Sequence, residues 1–229
     1  MSEENWNRSQ VEAVALQESL LDALYRPTEK MPVVVVGNFP ALGKLSAMRF
    51  LEWSQDHPEG VISLPTGKTP EHFIRWVRHI LATGETAETQ VLLEASGIEP
   101  ARKPDLRGLH FVQIDEFYPI DPRQHNSFFH YVREFYIKGF GLDPNRALLI
   151  DCDRIGIEPG QTLQSVWPNS LVDLSLRTRQ PITDQERVQQ AVLHRIDDWC
   201  QQYEDRIRDL GGIGFFLGGI GPDGHIGFN

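Results

Sequence analysis

Blocks of apolar residues alternate along this chain with amphipathic and polar stretches. Five apolar blocks have the length of β-strands, and several are continuously apolar. A continuous apolar run indicates a strand covered on both faces, as in a parallel sheet. The strand candidates are Val33–Gly37, Val61–Leu64, Leu109–Ile114, Ala147–Ile150 and Ile213–Leu217.

Amphipathic patterns between these strands predict helices. The clearest pattern has Thr69 as its N-cap, Pro70 at the first helical position and Gly84 at its end. Another begins with a capping box formed by Thr183 and Glu186. Strands that alternate with helices predict an α/β fold, with a doubly wound, mostly parallel sheet and helices on both faces. The helical patterns cover Glu12–Leu24, Leu42–Trp53, Thr69–Gly84 and Thr183–Leu210.

Composition narrows the classes of partner. Acidic residues outnumber basic ones by 32 to 22, for a net charge of −10, which argues against nucleic acid and anionic membrane surfaces. No apolar run has the length of a membrane span, and Met1–Asn5 lacks the pattern of a secretion signal. Cys152 and Cys200 lack redox-motif spacing and are expected to be reduced thiols. The sequence predicts a soluble cytoplasmic protein.

The domain organisation is expected to be simple. A chain of 229 residues can bury a large core, and residues 1–229 are interpreted as a single α/β domain. Residues 155–181 are rich in glycine, proline and polar residues. We expect this segment to be an inserted loop that folds over a binding pocket as a lid.

Residues 64–70, Leu-Pro-Thr-Gly-Lys-Thr-Pro, join a buried strand candidate to the best-capped helix. Free N–H groups at a helix start, together with hydroxyl groups and a lysine, suit a phosphate dianion. An ordinary strand-to-helix turn is the alternative. A nucleotide-binding P-loop is not favoured, because Ile62 stands where that motif needs glycine. The candidate phosphate ligands are Thr66, Gly67, Lys68 and Thr69.

Two adjacent carboxylates, Asp115 and Glu116, follow the strand candidate Leu109–Ile114. Ligands of open α/β sheets bind at the carboxyl ends of strands, so these side chains lie where chemistry is expected. Neighbouring side chains on an extended chain point in opposite directions, so at most one of the two faces a site. That carboxylate could abstract a proton next to a carbonyl group. A solvated acidic strand end is the alternative.

The last strand candidate leads into a glycine-rich stretch that contains Asp223, Gly224 and His225. An aspartate two residues from a histidine can orient the imidazole for proton transfer, although a lone histidine is more often structural. His125 and His130 are five residues apart, which does not place them on one helix face. A zinc pair is therefore a poor interpretation, and no metal is expected.

Four segments occur in an order that resembles the glucosamine-6-phosphate deaminase/isomerase family, which is related to 6-phosphogluconolactonase. They are LPTGKTP, IDEF, HNSFFHYV and GGIGPDGHIGFN, at residues 64–70, 114–117, 125–132 and 218–229. The resemblance runs from about Val33 to Asn229 and implies a Rossmann-like fold. It also implies conversion of glucosamine 6-phosphate and water to fructose 6-phosphate and ammonia, with no metal or organic cofactor.

The resemblance assigns a role to each matching position. Asp115 is implied as the base that takes the C2 proton and returns it to C1, and His225 as the group that assists ring opening. Asp223 would tune the charge of His225. The implied substrate-binding residues are Thr66, Gly67, Lys68, Thr69 and Gly224.

The chain departs from the family pattern at three places. Lys68 replaces a glycine, Phe117 replaces a tyrosine, and the sequence stops at Asn229, before the glutamate that pairs with the catalytic histidine. We therefore expect a piece of a longer protein that is inactive by itself. A 6-phosphogluconolactonase-like hydrolase and a non-catalytic sugar-phosphate-binding regulator are the alternatives, and a homo-oligomer is compatible with the sequence.

Overall fold

The computed structural model describes residues 9–19, 33–102, 104–221, 223–225 and 227 of the chain. Its sheet contains four parallel strands in the spatial order β3-β2-β1-β4. The register pairs Ile62 with Phe111 on one side and with Phe215 on the other. The predicted parallel α/β sheet is thus confirmed. The strands are β1 (Val61–Ser63), β2 (His110–Val112), β3 (Ala147–Leu148) and β4 (Phe215–Phe216).

Helices occupy most of the chain between the strands. The long helix α8 begins with the predicted capping box, in which Thr183 and Glu186 bond reciprocally through side chain and backbone. Short 3₁₀ turns lie at Leu106–Gly108, Pro144–Arg146 and Leu174–Arg177, and a π-helical stretch spans Val132–Ile137. The α-helices are α1 (Gln10–Glu18), α2 (Phe39–Asp56), α3 (Glu71–Thr83), α4 (Ala87–Ala95), α5 (Phe128–Tyr131), α6 (Lys138–Phe140), α7 (Leu163–Val166) and α8 (Asp184–Asp209).

Two local expectations are wrong. Val33–Gly37 is not a strand and pairs with none of the four strands; the backbone of Val35 instead bonds the Ser19 hydroxyl through both its N–H and its carbonyl, each at 3.4 Å. The helix expected from Thr69 begins at Glu71, with Pro70 at the N-cap position and no side-chain cap. Residues 20–24, the predicted end of the first helix, lie outside the described residues.

One face of the sheet carries the main hydrophobic core. Ile62, Phe111 and Phe215 are lateral neighbours; Ile62 and Phe111 belong to this core, and the partly buried Phe215 packs against it. Phe50 of α2 is fully buried there, and its ring lies 5.5 Å from that of Phe215 and 5.7 Å from that of Phe73. Truncating such a ring typically costs about 3–5 kcal/mol, so this face fixes the position of the strands.

The chain adds strands first on one side of β1 and then on the other. The chain moves outward through β1, β2 and β3, and α8 then returns it to β4, on the other side of β1. Because parallel crossovers are right-handed, α8 must cross the face opposite to α3. Ligands of open α/β sheets bind in the crevice beside such a reversal, at the carboxyl ends of the strands.

The inserted segment has a small core of its own. Its buried residues Val166, Trp167 and Leu176 pack with Val192 and Leu193 of α8. The segment therefore covers α8 rather than the sheet. No helix among the described residues combines the length and apolar character that crossing a membrane requires.

Candidate functional site

A cavity of about 170 Å³ lies at the carboxyl ends of β1, β2 and β4. It is the crevice that the reversal of strand order predicts. Four of the sequence-predicted residues line it together, although they come from three separate segments of the chain. They are Thr66, Thr69, Asp115 and His225.

The other candidate residues lie outside this lining. Gly67 and Lys68 line a neighbouring cavity of about 970 Å³, between α3 and the π-helical stretch. Asp223 is exposed and connects to the cavity through its bond to His225. Gly224 is also exposed and takes a left-handed φ of +85°, which marks it as a turn residue. Among the described residues, no group of three or more His, Cys, Asp or Glu is arranged to hold a metal.

Two tyrosine hydroxyls bond backbone carbonyl groups of the candidate phosphate loop. The hydroxyl of Tyr131 donates to the carbonyl of Gly67 at 2.9 Å, and that of Tyr136 donates to the carbonyl of Pro65. Burial raises the pKa of Tyr131 to about 12, so its hydroxyl keeps its proton and stays a donor at neutral pH. Gly67 has a φ of +89°, a conformation that favours glycine.

The sequence interpretation missed these tyrosines, because the aromatic segment 125–132 and its continuation are typical of a core helix. Two tyrosines among phenylalanines were the available signal. A buried tyrosine hydroxyl needs a hydrogen-bond partner, and here the partners are carbonyl groups of the candidate loop.

The two adjacent carboxylates point in different directions, as an extended chain requires. Asp115 lines the cavity. Glu116 turns away and accepts bonds from the hydroxyl of Ser127 at 2.8 Å and from the N–H groups of Phe128 and Phe129 at 3.1 and 2.8 Å. Glu116 therefore joins the strand end to the start of α5, and Asp115 is the carboxylate left facing the cavity.

The imidazole of His225 is held by a carboxylate. Its Nδ1 hydrogen-bonds to Oδ1 of Asp223, and this bond lowers the pKa of the Asp223 carboxyl below its usual value. A carboxylate at Nδ1 favours the tautomer with a proton on that nitrogen and leaves Nε2 for proton transfer. The ring also packs directly on Gly221, where a Cβ atom would overlap the imidazole.

The glycine-rich segment lies against both other parts of the site. A Cβ atom at Gly219 would lie 3.8 Å from the methyl group of Thr69, and one at Gly227 would lie 3.9 Å from Oδ2 of Asp115. The segment therefore crosses the cavity from the candidate phosphate loop to the carboxylate. A carboxylate, a carboxylate-held imidazole and two hydroxyls around one cavity can together bind an anion and move protons on it.

The inserted segment 155–181 does not line this cavity. It packs on α8 instead, because its large apolar residues are buried against that helix. The expectation of a lid is therefore not met. The segment does contact the loop that follows Asp115: Trp167 Nε1 donates to the hydroxyl of Tyr118 at 3.2 Å.

Comparison with known proteins gives sequence relatives and a structural neighbour. No family model matches the chain. Over 199 residues, 87% of this chain, the sequence is 23% identical to glucosamine-6-phosphate deaminase of Halothermothrix orenii, and it spans 59% of that protein's length. Shorter matches are 59% identical over 34 residues to the enzyme of that name from Bacteroides fragilis, and 63% over 30 residues to the one from Drosophila melanogaster.

The structural neighbour is described as a monomeric glucosamine-6-phosphate deaminase and a missing link of the NagB superfamily. The superposition has a TM-score of 0.57 at 18% sequence identity, and it covers 86% of this chain and 58% of the other. At this identity the likeness shows a common fold.

Proposed function

Because this chain is a homologue of the glucosamine-6-phosphate deaminases, we propose that its cavity binds an amino-sugar 6-phosphate and isomerises it with loss of ammonia. The observation that carries the proposal is the convergence of Thr66, Thr69, Asp115 and His225 on one cavity. An anion-binding loop, a candidate base and a candidate acid are the groups that this chemistry requires.

The 6-phosphate is assigned to the loop before α3. Thr66 and Thr69 offer hydroxyl donors to the cavity, and the 13-residue α3 directs its positive N-terminal end toward the same region. Lys68 faces the neighbouring cavity, so it adds positive charge near the phosphate without lining the pocket. Lys68 and the N-terminus of α3 thus supply local positive charge in a chain whose net charge is −10.

Asp115 is assigned the proton transfer. In the open-chain substrate, which carries an ammonium group at C2, the carboxylate takes the C2 proton. The C2–H electrons form a C1=C2 double bond, and the C1 carbonyl oxygen takes a proton from the C2 ammonium group and becomes a hydroxyl. Return of the proton to C1 leaves an iminium group at C2. Water then adds to C2, its two protons pass to the nitrogen, and ammonia leaves as ammonium, which gives fructose 6-phosphate.

His225 is assigned the ring opening that precedes this step. Its Nε2 would take the proton of the C1 hydroxyl and deliver a proton to the ring oxygen as the C1–O bond breaks. Asp223, bonded to Nδ1, stabilises the positive charge that the imidazole carries between the two transfers.

Ammonia release from glucosamine 6-phosphate by the full-length gene product tests this assignment, with Asp115→Asn as the diagnostic variant. Removing a general base typically costs 10²- to 10⁴-fold, so we expect a fall of about that size in kcat. The affinity for fructose 6-phosphate, measured by calorimetry, should be retained, since the phosphate ligands are untouched. Asp198→Asn, an exposed position on α8, is the matched control and should leave both quantities unchanged.

Two results would contradict the proposal. Saturable binding of the sugar phosphate by the wild-type protein without ammonia release would favour a binding protein over an enzyme. Equal activity of the wild type and Asp115→Asn would remove Asp115 from the chemistry.

A further inference from the structure

Gln113 is a polar residue in a place that otherwise holds apolar ones. It follows β2 directly, and its exposed fraction is 1%. Its neighbours along the strand, Phe111 and Val112, are each 1% exposed as well. Burial of an amide side chain is unfavourable unless its polar atoms are hydrogen-bonded, so the partners of Gln113 need to be accounted for.

Every polar atom of Gln113 has a partner. Its backbone N–H donates to the carbonyl of Leu148 at 3.0 Å, and its backbone carbonyl accepts from the hydroxyl of Tyr203 at 2.7 Å. Its side-chain oxygen accepts from the N–H of Ile150 at 3.0 Å. Its side-chain nitrogen donates to the backbone carbonyl of Asp115 at 2.9 Å.

These bonds fix the end of β2 in a particular way. β2 and β3 stop pairing after Val112 and Leu148. Beyond that point, the side chain of Gln113 bridges the chain after β3, at Ile150, to the backbone of Asp115. The amide therefore continues the connection between the two strands as far as the residue that faces the cavity.

Tyr203 of α8 braces the same point from outside the strands. Its hydroxyl bonds the carbonyls of both Gln113 and Leu148, at 2.7 and 2.9 Å. Desolvation raises the pKa of this hydroxyl, so it remains a donor. With its backbone held by Leu148 and Tyr203, Gln113 has little freedom to move, and its side chain can act as a rigid link.

We propose that Gln113 is a positioning residue, whose side-chain amide holds the backbone of Asp115 so that the carboxylate faces the cavity. This inference rests on the proposed role of Asp115 as the base. A carboxylate whose main chain shifts by about 1 Å loses alignment with the substrate proton, and misplacement of that size can cost about 10²-fold in rate. The link affects proton transfer rather than phosphate binding, because it does not reach the loop at residues 64–70.

The diagnostic variant is Gln113→Met, which keeps the length and volume of the side chain and removes both of its bonds. We expect kcat for ammonia release to fall 10- to 100-fold while KM changes less than twofold. Gln190→Met is the matched control, since Gln190 also donates from a partly buried amide to two backbone carbonyls, those of Leu176 and Arg179. The control should keep the wild-type kcat.

A second variant guards against a failure to fold. Gln113→Asn keeps a neutral amide at this buried position, and its side chain is one methylene shorter, so it does not span the N–H of Ile150 and the carbonyl of Asp115 together. It should lower kcat as much as Gln113→Met does. If both variants keep the wild-type kcat, or if Gln190→Met loses as much, the inference is wrong.

Hydrogen exchange separates this inference from the proposed function. In Gln113→Met, the amide of Ile150 and those of residues 113–117 should exchange at least tenfold faster than in the wild type and in Gln190→Met. If the wild type releases no ammonia, the proposed function fails. If hydrogen exchange in these segments is unchanged in Gln113→Met, the role of Gln113 is wrong, whatever the ammonia assay shows.

Discussion

The contact between Trp167 and Tyr118 connects the inserted segment to the loop that follows Asp115. Trp167 is 1% exposed, its indole N–H donates to the hydroxyl of Tyr118 at 3.2 Å, and the two rings meet edge to face at 6.3 Å. The hydroxyl of Tyr118 also lies 3.5 Å from the carbonyl of Ile155. A double-mutant cycle on this pair measures how firmly the segment is attached.

The expected losses in the free energy of unfolding follow from the burial of this pair. Tyr118→Phe removes the acceptor of a fully buried indole N–H, and an unsatisfied buried donor costs about 1–3 kcal/mol. Trp167→Phe removes the donor and leaves a small gap, for a loss of about 1–3 kcal/mol. In the double variant no donor is left unpaired, so its loss should be smaller than the sum of the two by about 1 kcal/mol.

Urea unfolding followed by circular dichroism measures these free energies, and unchanged m-values would show that the unfolded states are comparable. Trp53→Phe combined with Tyr118→Phe is the control pair, since Trp53 belongs to the main core and contacts His57 and Phe215 instead. That pair should be additive within about 0.5 kcal/mol. Equal additivity for Trp167 and Tyr118 would refute the argument that their hydrogen bond joins the segment to the loop.

Two further predictions concern thiol reactivity and acid stability. A thiol reagent at pH 8 should label Cys200 first, because Cys200 is exposed while burial raises the pKa of Cys152 to about 12. Peptide mapping identifies the labelled residue, and preferential labelling of Cys152 would contradict this prediction. Bonds to Arg179 are the main cause holding the pKa of Glu186 at about 2. The pKa of Asp173 is also about 2, mainly because of its bond from the Ser175 hydroxyl and next because of its bond from Arg179. Stability from lowered carboxyl pKa values is present above the unfolded values near 4 and is lost as the pH falls toward 2. The difference in Tm between the wild type and Arg179→Met should therefore shrink across that window, and a constant difference would contradict the linkage.

The sequence predicted the repeating pattern of the fold because the strands and long helices carry it locally. The apolar runs around β1, β2, β3 and β4 and the capping box of α8 were sufficient for this. Val33–Gly37 has the same composition as a strand, but its backbone partner, Ser19, is distant in sequence and cannot be inferred from a local pattern. Likewise, composition identified residues 155–181 as an insertion but not its packing partners on α8.

The candidate site was predictable in its residue types but not in its orientations. The choice between Asp115 and Glu116 depends on bonds from the start of α5, more than ten residues away. The position of Lys68 outside the cavity depends on a loop held by Tyr131. Both orientations depend on tertiary structure, because the hydrogen bonds that fix them join segments that are far apart in the sequence.

The residues of the candidate site follow strands that differ in burial. The candidate phosphate loop and Asp115 follow β1 and β2, whose core residues Ile62 and Phe111 are 0% and 1% exposed. His225 follows β4, where Phe216 is 53% exposed. Because regions with fewer buried apolar contacts open at lower free energy, we expect the segment after β4 to open more readily than the segments after β1 and β2. Under the proposed function, a sugar phosphate held at Thr66 and Thr69 would contact His225 across the cavity and so add to the contacts that hold the imidazole.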